Sequence, residues 1–261
     1  MRVSIIISYK QSDEDRATNL RSLLNYLSQL ISSDVEIIVV EQDTETKITW
    51  VPEGVKHIFI KNDEVFNKGL GYNVGVRYSS GDYLLFTDVD LYMDIEQYLW
   101  SLAYMTDHDV VKPYTNLHYL DQRNSSWFFA NYDMGIVKQK HRVLQSIKPS
   151  VISGGVFSIK RDLFFTLRGF DEQCKGYGYE DDIFDDKMRK AGLNIIFLGA
   201  DCIHVYHRSM RGGMDVKDEY YSFFKQNAAL ARRYAKMMPS EMMREIVTQT
   251  WGESEYEVIA H

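Results

Sequence analysis

The feature that most constrains the fold is an alternation of short apolar runs and segments with helical spacing along the N-terminal part of the chain. Four apolar runs predict buried strands: residues 3–8, 35–40, 55–60 and 82–87. Leucines at helical spacing predict a helix over residues 13–30, and a second helix is expected over residues 67–78. Strands that alternate with helices form a mainly parallel sheet with helices on its faces, so an α/β protein is expected.

The second half of the chain shows a less regular pattern. Residues 112–150 are rich in aromatic side chains but lack a strand or helix period, so an irregular segment is expected there. Segments of this length inside a compact domain are usually functional or disordered. Further helices are predicted at residues 95–105, 161–167, 181–191 and 218–238, the last ending near Pro239, and further strands at residues 156–159 and 194–198.

The composition limits the classes of partner and compartment. The 261 residues include 37 acidic and 30 basic side chains, and this net charge of −7 argues against a nucleic-acid partner. Cys174 and Cys202 form no CxxC pair, so neither a disulfide framework nor a zinc–cysteine site is expected, and a reducing compartment fits. No apolar run has the length of a signal-peptide core or a membrane span, so a cytoplasmic protein is expected.

Two carboxylates follow the fourth predicted strand. Asp88 and Asp90 are one residue apart, directly after the apolar run at residues 83–86. A buried charge is costly unless a metal, a ligand or water holds it. Ligands of open α/β sheets bind in the crevice beyond the carboxyl ends of the strands, where these acids lie. A metal or ligand site is one interpretation, and a solvated acidic turn is the other.

Three later features carry residue types that suit binding or catalysis. Gly154 and Gly155 allow close approach of the backbone to a ligand, although most glycine pairs only turn the chain. In residues 176–182, three acids follow a loop of glycines and tyrosines; they either complement a helix dipole or raise one another's pKa, which suits a general base. The spacing of His204 and His207 is usually structural, but two imidazoles with a carboxylate would suit Mn²⁺ better than Mg²⁺.

Together and in this order, these motifs resemble those of the inverting GT-A glycosyltransferases, most closely the β-1,4-galactosyltransferase type and its bacterial capsule or lipopolysaccharide relatives. The similarity extends from about residue 3 to residue 211. It is carried by Phe66-Asn67-Lys68, Asn73-Val74-Gly75, Asp88-Val89-Asp90, Gly154-Gly155-Val156, Gly169-Phe170, residues 176–182, and His204 and His207. The resemblance implies a GT-A fold, a single Rossmann-like domain with a mainly parallel central sheet flanked by helices.

The resemblance also implies a division of the chain. Residues 1–215 would form the catalytic domain, with a nucleotide-binding half at 1–111 and an acceptor-binding half that carries metal ligands at 112–215. Residues 216–261 would form a C-terminal helical extension. Its aromatic and basic side chains would pack against the catalytic domain, or rest on a membrane surface near a lipid-linked acceptor.

On the donor side, the resemblance implies a divalent cation and a nucleotide sugar. Asp90, His204 and His207 match the positions that hold Mn²⁺ (or Mg²⁺), which bridges the diphosphate of a UDP-sugar. The family's arginine-rich nucleotide-binding segment is replaced here after residue 10, which leaves Lys10 and Arg16 as candidate contacts. The donor-binding residues that the resemblance implies are Ser8, Tyr9, Lys10, Phe66, Lys68, Asp88, Val89, Ile152, Gly154 and Gly155.

On the acceptor side, the resemblance implies that Asp181 is the general base. It would take the proton from an acceptor hydroxyl that attacks C1 opposite UDP, which inverts the anomeric centre. Ile152 stands where galactose-specific animal members carry tyrosine, and the smaller side chain implies room for the N-acetyl group of UDP-GalNAc. The residues implied to position the acceptor and the sugars are Tyr177, where the family usually has tryptophan, Gly178, Glu180 and Asp182.

The function expected is transfer of galactose or N-acetylgalactosamine from a UDP-sugar to a glycan or lipid-linked glycan, in the synthesis of surface polysaccharide, lipopolysaccharide or a glycoconjugate. Such a protein would act in the cytoplasm, peripheral at the inner face of the cell membrane. The alternatives are a non-catalytic sugar-nucleotide or glycan-binding pseudoenzyme, and a phosphatase whose DxD motif normally lies on the first strand. The glycines of residues 69–75 follow no strand directly, so a dinucleotide-binding loop is not expected there.

Overall fold

The computed structural model describes residues 2–208, 222–253 and 255–259. Within these ranges the strands are β1 (Val3–Tyr9), β2 (Val35–Asp43), β3 (Val55–Lys61), β4 (Tyr83–Phe86), β5 (Leu91–Tyr92), β6 (Val110–Lys112), β7 (Asn116–Leu120), β8 (Val143–Ile147), β9 (Phe157–Lys160), β10 (Ile195–Phe197), β11 (Asp201–His204) and β12 (Glu257–Ile259). The helices are α1 (Glu14–Leu27), α2 (Lys68–Tyr78), α3 (Ile95–Ala103), α4 (Gln122–Asn131), α5 (Arg161–Thr166), α6 (Glu180–Lys190), α7 (Phe224–Lys236) and α8 (Pro239–Ile246).

The central sheet has the strand order β10-β6-β9-β4-β1-β2-β3-β12. The pairs β10–β6, β4–β1, β1–β2 and β2–β3 are parallel. Strand β9 runs antiparallel between β4 and β6, and β12 runs antiparallel beside β3. The mainly parallel sheet predicted from the alternation of strands and helices is confirmed, and the four predicted N-terminal strands correspond to β1–β4.

A second sheet occupies the segment for which no regular structure was predicted. Its strand order is β5-β11-β7-β8. Strands β7 and β8 and helix α4 all lie within residues 112–150, so the prediction of an irregular segment there is wrong. The sequence hides these strands because β8 is mostly exposed and β7 has mixed burial, so neither shows an apolar run or a strict alternation.

Helix α2 packs closely on β1 because glycines line the contact. A Cβ atom at Gly71 would lie 2.1 Å from the Oγ of Ser8, and one at Gly75 would lie 2.4 Å from the Cγ2 of Ile6. Asn67 begins the helix, and its side chain accepts a backbone N–H of the first turn. These glycines therefore lie within α2 and allow the helix to pack closely on β1. The carboxyl end of β1 meets the start of α2.

Apolar side chains on the two faces of the central sheet form two large clusters. One contains stacked and edge-on aromatic rings, among them Phe86, Phe157, Phe170 and Phe184. Because Phe86 ends β4 and is fully buried, the turn that carries Asp88 and Asp90 begins from a rigid position. The other cluster contains the leucines predicted at helical spacing, all buried: Leu20, Leu23, Leu24, Leu27 and Leu30.

The C-terminal part contains two helices where one was predicted. Helix α7 ends at Lys236, which agrees with a stop near Pro239, but Pro239 then begins α8. Proline is favourable at a first helical position because its missing N–H would have no partner there. Residues 218–221 of the predicted helix lie outside the described residues.

This C-terminal part packs on the rest of the chain. Tyr234, Met242 and Ile246 form an apolar cluster with Ile183 of α6, and β12 extends the edge of the central sheet. The C-terminal part thus packs on helix α6 and on the edge of the central sheet. Among the described helices, none combines the length and the apolar character that a membrane crossing needs.

Candidate active site

The three predicted metal ligands come together beside the carboxyl end of β4. The possible ligand atoms of Asp90, His204 and His207 all lie within 4.8 Å of one another. The Nε2 atoms of His204 and His207 are 3.9 Å and 3.2 Å from carboxylate oxygens of Asp90. One carboxylate and two imidazoles form a donor set that suits a divalent transition ion.

Pairing of two short strands brings these distant residues together. Strand β11 runs antiparallel to β5, with His204 opposite Leu91. The next backbone N–H, that of Val205, donates to the carbonyl oxygen of Asp90 over 2.9 Å. The carboxylate and the imidazoles are thus held on one side of the same ladder.

Both imidazole rings are oriented by contacts on the side opposite Asp90. The Nδ1 atom of His204 lies 2.9 Å from the carbonyl oxygen of Val205, and that of His207 lies 3.2 Å from the carbonyl oxygen of Arg208. A ring that donates from Nδ1 keeps the lone pair of Nε2 for a metal ion. The Tyr119 ring also stacks on His204, with centroids 4.5 Å apart.

The electrostatic balance favours the ligand forms of these groups. Burial alone would raise the pKa of Asp90, but His204, Arg16 and His207 hold this pKa well below its usual range. The Arg16 Nη1 atom lies 2.8 Å from the carboxylate. Burial lowers the pKa of His207, although Asp90 opposes this effect. An ionised carboxylate and a neutral imidazole are the forms that bind a metal ion.

Lys68, the first residue of α2, joins the predicted donor and acceptor carboxylates. Its Nζ atom lies 3.0 Å from Asp88, 3.4 Å from Asp181 and 3.9 Å from Glu180. The hydroxyl of Tyr72 donates to the same Oδ1 atom of Asp88 that Lys68 contacts, over 2.9 Å. The structure therefore brings Lys68, Asp88, Glu180 and Asp181 together, as their predicted roles require.

Asp181 lies in the first turn of α6 in an environment that suits proton transfer. Burial raises the pKa of Asp181 to about 7; Lys68 opposes this, and Glu180 and Asp88 add to it. Its Oδ1 atom is buried and has no hydrogen-bond partner among the described residues. A carboxylate with a pKa near neutrality can take up a proton at the working pH, which is the property of a general base.

The loop before α6 has a special backbone and an aromatic lining. Gly176, Gly178 and Tyr179 have positive φ angles of 65°, 95° and 73°, so the acids predicted to open a helix are preceded by a sharp turn. The Tyr177 ring stacks on the ring of Phe224 from α7, with centroids 6.0 Å apart, and Tyr179 contacts the same ring at 5.2 Å. The predicted acceptor loop is therefore supported by the C-terminal helix.

Four further predicted residues lie around this cluster. The carbonyl oxygen of Phe66 accepts the N–H of Gly176 over 2.8 Å, which ties the donor segment to the acceptor loop. A Cβ atom at Gly154 would lie 3.5 Å from Asp181, and Gly155 has a φ angle of +74°. Asp182 is in the first turn of α6.

The side chains of the other predicted donor-binding residues are held by apolar packing or by contacts elsewhere. Ile152, Tyr9 and Val89 are buried in the apolar clusters or their edges, with Ile152 wholly inaccessible. The side chain of Ser8 packs against Gly71 of α2. The Lys10 ammonium donates to the carbonyl oxygen of Glu64. Their roles toward a donor stay predictions.

Two residues of the site had no role in the sequence patterns. Tyr72 was seen only as part of the glycine-rich helix, yet it is fully buried and bonds to Asp88. Lys112 is fully buried at the end of β6 and donates to the carbonyl oxygen of Gly154. The signal for Lys112 was weak, because only two apolar residues precede it, whereas Asp88 follows the longer apolar run of β4.

Comparison with known families decides the class of protein. The profile of the family described as Glycosyltransferase like family 2 matches residues 4–239. The chain belongs to this family. As a member of the glycosyltransferase-like family 2, the protein is a transferase enzyme, in agreement with the function class expected from its motifs.

Two solved structures are similar to this family member. The catalytic domain of Drosophila beta1,4-galactosyltransferase 7 in complex with xylobiose is 18% identical, with a TM-score of 0.49, and the match covers 92% of this chain and 83% of that one. A mutant of the same Drosophila enzyme in complex with manganese, UDP-Gal and xylobiose is 17% identical, with a TM-score of 0.51 and coverage of 84% and 79%. At this identity the likeness concerns the fold alone, and the family model together with the second of these structures confirms the predicted GT-A fold.

Proposed function

We propose that this glycosyltransferase moves galactose or N-acetylgalactosamine from a UDP-sugar to a hydroxyl group of a glycan, with inversion at the anomeric carbon. The observation that carries the proposal is the placement of two chemical groups in one region of the fold. A metal-binding triad at Asp90 and a proton-accepting carboxyl at Asp181 are linked through Asp88 and Lys68. The Drosophila enzyme of similar fold was solved with UDP-Gal, manganese and xylobiose, which supports the same classes of donor, ion and acceptor.

The residues present fit a divalent cation. Asp90, His204 and His207 supply three ligand atoms within 4.8 Å of one another, and both rings direct Nε2 toward the carboxylate. The mixture of nitrogen and oxygen ligands favours Mn²⁺ over Mg²⁺. When bound, the ion would neutralise charge on the departing diphosphate.

The donor would lie between the triad and Lys68. Lys68 and Tyr72 hold the side chain of Asp88, and its carboxylate oxygens can accept hydrogen bonds from sugar or ribose hydroxyls. Lys68 also supplies positive charge next to the diphosphate. The side chain of Ile152 is wholly buried behind this region. Room for the N-acetyl group of UDP-GalNAc would therefore depend on the space that the neighbouring backbone leaves.

Asp181 would act as the base in a single displacement. Its carboxylate takes the proton of the acceptor hydroxyl while that oxygen forms a bond to C1 of the sugar. The bond between C1 and the phosphate oxygen breaks, and UDP leaves with the electron pair. Glu180 beside it would orient the acceptor, and Tyr177 and Tyr179 offer aromatic faces on which a sugar ring stacks.

The acceptor would be a growing glycan of a surface polysaccharide, lipopolysaccharide or glycoconjugate, carried in some cases on a lipid. The site of action would then be the cytoplasm, at the inner face of the membrane. This part of the proposal is supported by the absence of a cysteine framework in the composition and by the class of donor.

A donor and acceptor screen tests the proposed function. The protein with Mn²⁺ is mixed with UDP-Gal, UDP-GalNAc, UDP-Glc or UDP-GlcNAc and a panel of aryl glycosides, and UDP release and the coupled product are measured. We expect turnover with the galacto donors and a β-linked product from the α-linked donor. Nucleotide binding without turnover across the panel would favour the pseudoenzyme, and an α-linked product would refute inversion.

Matched variants assign the roles. Asp181→Asn should lower kcat by about 100-fold or more while Mn²⁺ and UDP binding persist, because only the proton acceptor is lost. Asp162→Asn, in the exposed first turn of α5, controls for the loss of an acid at a helix start. His207→Ala should abolish Mn²⁺ binding in calorimetry, whereas His118→Ala, which removes an imidazole paired with Asp201, should not.

A further inference from the structure

Lys112 is a buried cation that the transfer chemistry described above does not use. It ends β6, its side chain is inaccessible to solvent, and its Nζ atom donates to the carbonyl oxygen of Gly154. The same atom lies over the ring of Tyr114, 4.5 Å from the centroid. Among the described residues it forms no ion pair, although an unpaired buried charge is costly.

The turn that Lys112 holds lies directly against the proposed base. A Cβ atom at Gly154 would be 3.5 Å from Oδ2 of Asp181, and Ser153 Oγ donates to the carbonyl oxygen of Asp181 over 2.5 Å. On the opposite side, a Cβ atom at Gly155 would meet the Tyr114 hydroxyl at 2.4 Å. The turn is therefore packed between the ammonium group and Tyr114 on one side and the carboxyl of Asp181 on the other.

The charges that face Asp181 come from four elements. Lys68 approaches from α2, Asp88 from the turn after β4, Glu180 from α6, and Lys112 from β6. Burial lowers the pKa of Lys112 to about 8, and Asp181 opposes this effect more than any other charge. Two cations thus offset two neighbouring acids around the proposed base.

We propose that Lys112 is a positioning residue of the transfer reaction, which holds the turn at Gly154 against the carboxyl of Asp181 and supplies positive charge behind it. The inference rests on the proposed function, because it takes Asp181 to be the base. Without the charge, the carboxylate form of Asp181 is less favoured. Without the hydrogen bond, the turn that contacts the carboxyl is held by Ser153 but loses its tie to β6.

The variant Lys112→Met removes the charge and keeps the volume. We expect the acid limb of the kcat/KM profile to move up by about one pH unit, which is about a tenfold loss at pH 6. The electrostatic part of this loss should disappear above about pH 9, where the carboxyl of Asp181 is ionised in both proteins. Lys112→Gln keeps a donor for Gly154 without the charge, and replaces Lys112→Met if that variant does not fold.

Lys187→Met is a matched control. Lys187 is also inaccessible to solvent, its ammonium donates to the carbonyl oxygen of Gly169 over 3.0 Å, and burial lowers its pKa to about 8. It stands on α6 and faces Asp171 and Tyr234 of the C-terminal packing, not the proposed base. A general effect of losing a buried lysine would appear in both variants, whereas the pH shift should appear only at Lys112.

A second readout separates this inference from the proposed function. The carboxyl of Asp181 is titrated by NMR in protein labelled with ¹³C-aspartate, with the signal assigned from Asp181→Asn. Its midpoint should rise by about one pH unit in Lys112→Met and Lys112→Gln and stay in place in Lys187→Met. Folded Lys112 variants with an unchanged midpoint would overturn the inference. Failure of the wild-type protein to transfer any sugar would instead overturn the proposed function, because the NMR titration needs no substrate.

Discussion

Replacing Asn227 by alanine tests whether α7 holds the loop that precedes the proposed base. The Asn227 amide is buried and donates to the carbonyl oxygens of Lys175 at 2.8 Å, Gly178 at 3.0 Å and Tyr177 at 3.4 Å. These carbonyls belong to the sharp turn that leads into α6. One side chain from the C-terminal helix thus satisfies three backbone acceptors of the loop.

The expected cost follows from these distances. The two short hydrogen bonds contribute about 1 kcal/mol each, and the longest one adds little, so Asn227→Ala should lower the free energy of unfolding by about 2 kcal/mol. Asn227→Asp should cost more, because a carboxylate cannot donate and would face three carbonyl oxygens. If the loop loosens while the chain stays folded, the KM for the acceptor should rise by up to about thirtyfold, with little change in the KM for the donor.

Urea unfolding and steady-state kinetics measure both effects. Asn131→Ala is the matched control, because Asn131 also donates from a helix to a carbonyl oxygen, that of Trp127 at 2.7 Å, but in an exposed position remote from the loop. The control should lie within about 0.5 kcal/mol of the wild-type protein. An Asn227→Ala variant as stable as the control, with an unchanged KM for the acceptor, would refute the role of α7 as the support of this loop.

Three other outcomes are expected. Gly71→Ala should destabilise the fold by about 3 kcal/mol or prevent folding, as seen in urea unfolding, because its Cβ would lie 2.1 Å from Ser8 Oγ. Burial alone would raise the pKa of Glu36, but hydrogen bonds lower this pKa from 4.5 to about 2. The stability that these bonds confer is complete above pH 4.5 and is lost as the pH falls toward 2. Glu36→Gln should therefore flatten the acid limb of stability against pH in thermal melts. Tyr119→Ala should weaken Mn²⁺ binding by about tenfold in calorimetry, because its ring orients His204; unchanged affinity would contradict this.

Local sequence patterns were sufficient for the elements that carry most of the central sheet. The leucines of α1 repeat at helical spacing and are all buried, and the apolar runs became β1–β4 because a strand covered on both faces needs an unbroken apolar stretch. Asp88 and Asp90 follow β4, where the sheet opens, so their position near a site was also readable from the sequence.

The second sheet was not readable because its strands carry no strong local signal. Strand β8 is largely exposed, and β7 and β11 are stabilised by pairing with distant segments. The second C-terminal helix was missed for a related reason. Proline ends one helix and suits the first turn of the next, and only the packing of Met242 and Ile246 decides that a second helix forms.

The sequence by itself determined the order of the elements from β1 to β4, the α/β class and the residue types available for chemistry, since these depend on local period and composition. The pairing of β5 with β11, which sets Asp90 beside His204, and the meeting of Lys68, Asp181 and Lys112 were decided only by the tertiary structure. Contacts between distant parts of a chain leave no period in the sequence, and burial by many elements together sets the pKa of a carboxyl such as Asp181.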